Sequence, residues 1–162
     1  MSTLSPLRYP GSKNKTYNYI KYLIALNNCD TYIEPFVGGG SVAIKLLLNK
    51  DVKSIMINDY DKAIYAFWYS VLNHTDELIE LIKNTEITIE EWHKQKEINS
   101  RCNLNDYLHL GFSTFFFISS CNSISFLSLS VVILLASFKI FSSINLSPSN
   151  SDSHLILSIS CK

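Results

Sequence analysis

The stretch YIEPFVGGGSVAIKLL, from Tyr32 to Leu47, decides the fold of this chain. It predicts a short strand that ends in an acidic residue, then a glycine turn, then a helix that begins at Ser41 with apolar residues on one face. Three adjacent glycines, Gly38–Gly40, permit backbone conformations that a side chain forbids and let a ligand approach the main chain closely. The start of the helix offers unpaired N–H groups. The stretch therefore outlines a strand-turn-helix cradle for a phosphate or a nucleotide.

A second buried strand is predicted at Ser54–Ile57, followed by the polar residues Asn58, Asp59, Tyr60 and Asp61. In nucleoside-binding βαβ units, an acidic residue at the end of the second strand, about 20 residues after the glycines, accepts hydrogen bonds from ribose hydroxyls. Asp59 lies 19 positions after Gly40. This spacing predicts a nucleoside-containing cofactor without identifying which one.

The composition describes one small domain without net charge. The chain has 162 residues, with 14 basic and 14 acidic side chains, so no overall field favours a nucleic-acid partner. Basic residues nevertheless dominate the N-terminus, since four of them precede the first acidic residue, Asp30: Arg8, Lys13, Lys15 and Lys21.

The cysteines carry no sign of a metal site. They lie far apart, form no CxxC pair and have no histidine at a zinc-site spacing. Free thiols are therefore expected at all four positions: Cys29, Cys102, Cys121 and Cys161. No cleavable signal peptide opens the chain, so a cytoplasmic location is expected.

Turn-forming residues and apolar periodicity predict several further elements. Prolines and a glycine predict an ordered arm over residues 1–13. Helices are predicted from about Lys15 to Leu26, at Ala63–Leu72 with Asp61 as cap, from Thr75 or Asp76 to Ile82, from a Thr88 capping box to Ser100, and at Leu104–Phe117. The polar helices from about residue 74 resemble an all-helical appendage.

The composition changes abruptly at Ile118. The remaining 45 residues contain 15 serines, no glycine and three charged residues. The span Leu110–Phe138 carries no formal charge over 29 residues, which is long enough for a membrane segment. The uncharged stretch has three interpretations: a membrane span, a buried helix or an out-of-frame tail. Frequent serines and the lack of a flanking basic cluster argue against the membrane span.

Three segments together resemble the adenine-specific DNA methyltransferases of the Dam type: PLRYPGSK at residues 6–13, EPFVGGGS at 34–41 and NDYD at 58–61. The resemblance covers about residues 4–117. It implies an incomplete Rossmann-like α/β fold that binds S-adenosylmethionine and transfers its methyl group to N6 of adenine in double-stranded DNA. It also implies a cofactor-binding part at residues 1–73 and the start of a helical target-recognition region at 74–117. Residues 118–162 would be an aberrant tail.

Eight positions match residues that contact the cofactor in that family: Tyr9, Lys13, Glu34, Phe36, Gly38, Gly39, Gly40 and Asp59. By the resemblance, the lysine meets the methionine carboxylate, the aspartate binds the ribose, and the glycine loop wraps the cofactor. The spacing between the glycines and the second strand predicts the same aspartate without the family. A cognate restriction endonuclease is a further partner that the family suggests. Five glutamates leave the predicted DNA-recognition region acidic: Glu80, Glu86, Glu90, Glu91 and Glu97.

The family's chemistry needs a later Asp-Pro-Pro-Tyr type tetrapeptide that holds the flipped adenine. The sequence has no Pro-Pro, and its only proline beyond Pro35 is Pro148, so no catalytic residue is predicted. A shift of reading frame near residue 117 or 118 is our hypothesis for the tail. A sheet without the family's later strands is expected to have an unpaired edge. Two alternatives to the enzyme are a non-catalytic cofactor-binding fragment and a small membrane-associated protein anchored by Leu110–Phe138.

Overall fold

The computed structural model describes residues 5–7, 9, 11, 13–120 and 157–160; Ser120 and the last four are described by their backbone alone. These residues form two compact units. The first, which we call the sheet unit, contains the described residues up to Asp59 and the strand at 157–160. The second, the helical unit, begins at Tyr60 and contains the remaining described residues.

The sheet unit is built on a short βαβ segment. Its elements are a 3-10 turn at Lys13–Thr16, α1 at Tyr17–Asn27, β1 at Thr31–Glu34, α2 at Ser41–Leu48, β2 at Ser54–Ile57 and β3 at Leu157–Ser160. Strands β1 and β2 are parallel, with Thr31 opposite Ser54 and Glu34 opposite Ile57. Helix α2 joins them, and its apolar side chains are almost all buried because the sequence is apolar around most of the helix. The predicted strand, glycine turn, helix and second strand are confirmed.

Strand β3 corrects the expectation of an unpaired edge. It pairs antiparallel with β2, placing Leu157 opposite Ile57 and Ser160 opposite Ser54. An edge strand exposes unpaired N–H and C=O groups that accept any extended segment. The alternating Leu-Ser-Ile-Ser sequence at 157–160 suits such a strand. The expectation was therefore wrong for the edge at β2, which is paired from within the segment predicted to be an aberrant tail.

The helical unit comprises α3 at Lys62–Asn73, α4 at Thr75–Asn84, α5 at Ile89–Arg101 and α6 at Tyr107–Ser120. All four predicted helices are present. Asp61 caps α3 by accepting a 2.9 Å hydrogen bond from the Ala63 N–H, and Thr88 caps α5 by accepting one of 3.1 Å from the Glu91 N–H. Helix α6 begins later than predicted because Asp106 accepts a hydrogen bond from the His109 N–H.

Helix α6 packs against α3, α4 and α5 and so forms the centre of the helical unit. The Phe67 ring stacks on Phe115 with centroids 6.1 Å apart, and it meets Trp68 edge to face at 5.2 Å. Burying each such side chain stabilises the fold by about 1.5–3 kcal/mol. Helix α3 belongs to the helical unit because its main packing partner is α6. The sequence instead assigned α3 to the predicted cofactor-binding part, which ends at residue 73. That functional boundary stays a prediction.

No helix among the described residues is long and apolar enough to cross a membrane. The part of the candidate span Leu110–Phe138 that the structure describes lies in α6, where Leu110, Phe112, Phe115 and Phe116 are buried within the helical unit. Residues 121–138 of that span lie outside the described ranges.

Substituting Gly111→Ala should destabilise the protein. A Cβ at this position would lie 2.5 Å from the Ser70 Oγ and 2.6 Å from the Ala66 carbonyl oxygen, at the closest approach of α3 and α6. Overpacking costs about 1–3 kcal/mol, whereas helix propensity alone would favour alanine by about 1 kcal/mol. We expect a lower midpoint in thermal unfolding, with Ser119→Ala on the same helix as the control. A midpoint equal to or above that of the wild type would contradict the close crossing.

Candidate functional site

A pocket of about 300 Å³ lies at the carboxyl ends of β1 and β2. Ligands bind at this end of the strands in open α/β sheets, and pockets for small molecules occupy about 300–1,000 Å³. Its lining residues come from the arm, the loop after β1, the start of α2 and the end of β2: Tyr9, Gly11, Lys13, Glu34, Phe36, Val37, Gly38, Gly39, Gly40, Ser41 and Asp59. All eight residues proposed from the sequence are therefore brought together. Their role in binding a cofactor stays a prediction.

Three of the lining residues were missed by the sequence reasoning. Gly11 has a φ of +83° and lies in the arm, between two residues that already matched. Val37 and Ser41 flank the three glycines, and Ser41 is the first residue of α2. All three lie inside the segments PLRYPGSK and EPFVGGGS, and this position was the signal that could have identified them as pocket residues.

Hydrogen bonds to the end of β2 fix the glycine loop. The Gly38 N–H donates to Oδ2 of Asp59 at 2.7 Å, and the Val37 N–H donates to the Asn58 carbonyl at 2.9 Å. The residue predicted to bind ribose thus also holds the loop. A carboxylate has about four acceptor sites, so this contact is compatible with hydrogen bonds from hydroxyl groups of a ligand.

The arm lies directly on the glycines. A Cβ at Gly38 would be 2.9 Å from the Tyr9 ring, and a Cβ at Gly39 would be 2.8 Å from the Leu7 carbonyl oxygen. The Ser5 hydroxyl donates to the Gly39 carbonyl, and Leu7 is buried. Gly38 and Gly40 also have positive φ values of 48° and 65°. These glycines are therefore required by the backbone turn and by the arm, in addition to any approach of a ligand.

Glu34 and Lys13 form a charge pair at the base of the pocket. The Lys13 Nζ lies 3.0 Å from Oε1 of Glu34 and also donates to the Phe36 carbonyl. Glu34 is only 4% exposed, and its Oε2 has no hydrogen-bond partner among the described residues. A buried acceptor without a partner is costly, so Oε2 suits a donor supplied by a ligand.

Burial raises the pKa of Glu34, because it disfavours the charged form. The Lys13 ammonium opposes this shift, and the charge of Asp59 adds to it. The Ala43 N–H also lowers the pKa of Glu34, although it is not within hydrogen-bonding geometry of Oε2. The carboxylate is thus less stable as an ion here than in water.

Two aromatic side chains at the pocket remain accessible. Phe36 is 64% exposed and Tyr9 is 38% exposed, although both line the pocket. Exposed large aromatic rings offer flat faces on which another ring can stack. The pocket therefore combines a charged end, at Lys13 and Glu34, with aromatic surface.

Some of the glutamates in the helical unit have basic or polar partners within their own helix. Glu97 pairs with Arg101 at 2.6 Å, and Glu91 meets both Lys94 and Gln95. A second concavity of about 440 Å³ does carry three carboxylates, together with the His109 ring: its lining includes Asp76, Glu77 and Glu80. Carboxylates repel phosphates, so this concavity is unsuited to a DNA backbone.

Among the described residues, no group of three His, Cys, Asp or Glu side chains could hold a metal ion. Cys29 and Cys102 are free thiols. The other two cysteines, Cys121 and Cys161, lie outside the described ranges.

A pocket at the ends of parallel strands, with a glycine loop and an acidic residue after the second strand, defines a class of nucleoside-cofactor sites. The family model of the D12 class N6 adenine-specific DNA methyltransferases matches residues 9–146, and the chain belongs to this family. The resemblance recognised from the three motifs is confirmed. The match reaches residue 146, beyond residue 117, where the resemblance was expected to end.

The Type II methyltransferase M.MjaIII of Methanocaldococcus jannaschii is 33% identical to this chain over 78 residues. The aligned region is 46% of this chain and 27% of that relative. The similarity therefore concerns a minor part of the relative's length.

Substituting Glu34→Gln should change the pH dependence of stability. Because the folded-state pKa of Glu34 is raised, the wild type loses stability as the pH rises from the usual glutamate range through that pKa, and the variant does not. The difference between the thermal midpoints, variant minus wild type, should therefore grow as the pH rises from about pH 4, the usual glutamate range.

The exposed Glu86→Gln is the matched control, because it removes the same charge at a site that is not buried. A difference for Glu34→Gln that shrinks with rising pH would contradict a carboxylate destabilised by burial.

Proposed function

We propose that the sheet unit binds S-adenosylmethionine and serves as the cofactor-binding part of an adenine-specific DNA methyltransferase. The observation that carries this proposal is the meeting of all eight motif residues, from three separate segments, at one pocket. Membership of the D12 class family supports DNA as the substrate class, and double-stranded DNA is what the resemblance implies. The parallel β1-α2-β2 unit is compatible with the Rossmann-like fold that we propose for the complete enzyme.

The pocket fits the charges of this cofactor. The amino-acid end of S-adenosylmethionine carries an ammonium and a carboxylate on one carbon, and Lys13 and Glu34 present the opposite charges 3.0 Å apart. The unpartnered Oε2 of Glu34 would accept from the ammonium, and Lys13 would donate to the carboxylate. When bound, the cofactor supplies an electrophilic methyl group on its sulfonium.

The nucleoside end of the cofactor would use the remaining residues. The Asp59 carboxylate would accept from the ribose hydroxyls while it holds the Gly38 N–H. The exposed rings of Phe36 and Tyr9 would stack on the adenine. The helices from residue 74 onward would begin the DNA-recognition region. A cognate restriction endonuclease remains an expectation of the resemblance.

We further propose that this 162-residue chain does not transfer a methyl group by itself. Its sequence has no Pro-Pro and so lacks the tetrapeptide that would hold the adenine amino group. The alternative function, a non-catalytic fragment that binds the cofactor, rests on the same observation. The membrane-anchored alternative is not favoured, since the described part of its span forms α6, whose large apolar side chains are mostly buried in the helical unit.

The frameshift hypothesis for residues 118–162 stays a prediction. It anticipates neither the family match up to residue 146 nor the pairing of β3 with β2. The nucleotide sequence tests it: a shifted frame near codon 118 should encode an Asp-Pro-Pro-Tyr type tetrapeptide. If no frame does so, the tail is not an out-of-frame product of this family's gene.

Cofactor binding is expected to depend on Lys13. Titration calorimetry should detect binding of S-adenosylmethionine to the full chain, and Lys13→Met should weaken it by about tenfold or more, because a charge-assisted hydrogen bond is lost. Lys15→Met, an exposed lysine on the same 3-10 turn, is the matched control and should bind like the wild type. No binding by the wild type would refute the proposed function, and equal losses in both variants would refute the role of Lys13.

A methyl-transfer assay separates the enzyme from the fragment. With radiolabelled S-adenosylmethionine and unmethylated double-stranded DNA, we expect incorporation no higher than in a blank without protein. A complete adenine methyltransferase should label the same DNA and thereby validate the assay. Turnover by the 162-residue chain would show that the missing tetrapeptide is not required.

A further inference from the structure

A cluster of polar residues ties the start of α1 to the end of α2; we call it the Tyr17 cluster. The Tyr17 hydroxyl donates to Oδ2 of Asp51 at 2.6 Å and accepts from Nδ2 of Asn49 at 2.6 Å. The Lys21 Nζ lies 2.7 Å from Oδ1 of Asp51, and the Lys45 Nζ lies 4.0 Å from the centre of the Tyr17 ring. The hydroxyl of Tyr17 is therefore satisfied both as donor and as acceptor.

The Tyr17 cluster is separate from the pocket. Helix α2 begins beside the pocket at Ser41, and the cluster gathers at its other end, around Asn49 and Asp51. Eight helical residues span about 12 Å. None of the cluster residues lines the pocket. An effect of the cluster on a bound ligand would have to pass through another residue.

Helix α1 depends on this cluster for its position. Only two of its residues, Tyr17 and Ile24, are buried, while Tyr19, Tyr22 and Leu26 are each more than 60% exposed. A helix with so little buried surface gains little from apolar packing. The hydrogen bonds and the ion pair of the cluster therefore fix its N-terminal end.

Lys13 is connected to this end by a single rigid turn. The 3-10 turn Lys13–Thr16 runs directly into α1 at Tyr17, and the Thr16 hydroxyl donates to the Lys13 carbonyl at 2.7 Å. The Lys13 side chain itself is 45% exposed, so packing does not hold it in place. The 3-10 turn also contacts α2 directly. The reach of Lys13 to Glu34 and to the Phe36 carbonyl depends on the position of this turn, which the anchor at Tyr17 helps to fix.

We propose that Tyr17 is a positioning residue for ligand binding: through the Tyr17 cluster and the turn, it places Lys13 to bind the carboxylate end of the cofactor. This inference rests on the proposed function and extends it to a residue outside the pocket. Its signature is selectivity. Loss of the anchor should weaken ligands that carry the amino-acid end and spare ligands that lack it.

The test compares two ligands on the full chain. Tyr17→Phe keeps the ring and its contact with Lys45 but removes the hydroxyl. We expect its affinity for S-adenosylmethionine to fall about fivefold or more, since a charge-assisted contact is misplaced, and its affinity for 5′-methylthioadenosine, which lacks the amino-acid end, to stay unchanged. Tyr19→Phe, on the exposed side of the same helix, is the control and should match the wild type for both ligands.

A double-mutant cycle with Lys13→Met shows whether the effect passes through the lysine. If Tyr17 acts by placing Lys13, then Tyr17→Phe should add no further loss of S-adenosylmethionine affinity in the Lys13→Met background. Independent, additive losses would overturn the proposal, and so would an equal loss, or no loss, for both ligands in Tyr17→Phe alone.

Failure of the proposed function gives a different result from failure of this inference alone. In that case the wild type would bind neither ligand, and the inference about Tyr17 would be refuted as well. Circular dichroism and thermal unfolding establish that each variant is folded. If Tyr17→Phe does not fold, Asp51→Asn replaces it, because this change keeps the size of the acceptor and removes the charge that holds Tyr17 and Lys21. The same selective loss is expected, and an unselective loss overturns the proposal.

Discussion

The hydrogen bond of 2.7 Å from the Gly38 N–H to the Asp59 carboxylate joins the turn after β1 to the end of β2. The turn has positive φ at two glycines, and within it the Gly40 N–H donates to the Val37 carbonyl at 2.8 Å. A hydrogen bond to a charged group contributes about 1.5–3 kcal/mol, which is large for a turn of this length. The start of α2 and the seat of the arm on Gly38 and Gly39 both depend on the loop that this bond holds.

The charge pair beside this loop carries a cost in stability. A buried carboxylate with one unpartnered oxygen is an unfavourable component of a folded chain, even with a lysine beside it. Titratable groups whose pKa is shifted by burial cluster at functional sites because a ligand, and not the fold, satisfies them. The pKa of Glu34 is shifted in this way, whereas the Glu97–Arg101 pair of α5 is an exposed pair within one helix and contributes little.

Local signals in the sequence were sufficient for α1 to α6, for β1 and β2, and for the glycines of the candidate site, but β3 was not predicted. Tyr9, Lys13 and Phe36 were assigned by the family resemblance. Glycines, caps and apolar periods located the helices and both parallel strands, and spacing alone selected Asp59. Contacts between distant residues were not accessible in this way. The packing of the arm on Gly39 joins residues 34 positions apart, and α3 joins the helical unit through α6, a later helix. The late start of α6 depended on the choice of Asp106 as cap, for which the apolar pattern gives no signal.

Strand β3 makes the order of synthesis matter for the sheet unit. Its Leu157 pairs with Ile57, 100 positions earlier in the chain. At about 5–20 residues per second, a ribosome needs about 5–20 s to make that interval. The four helices of the helical unit are complete by Ser120, and their contacts are closer in sequence, so that unit can fold while the chain is still growing. The edge of β2 meanwhile stays open to pairing with extended segments of other chains.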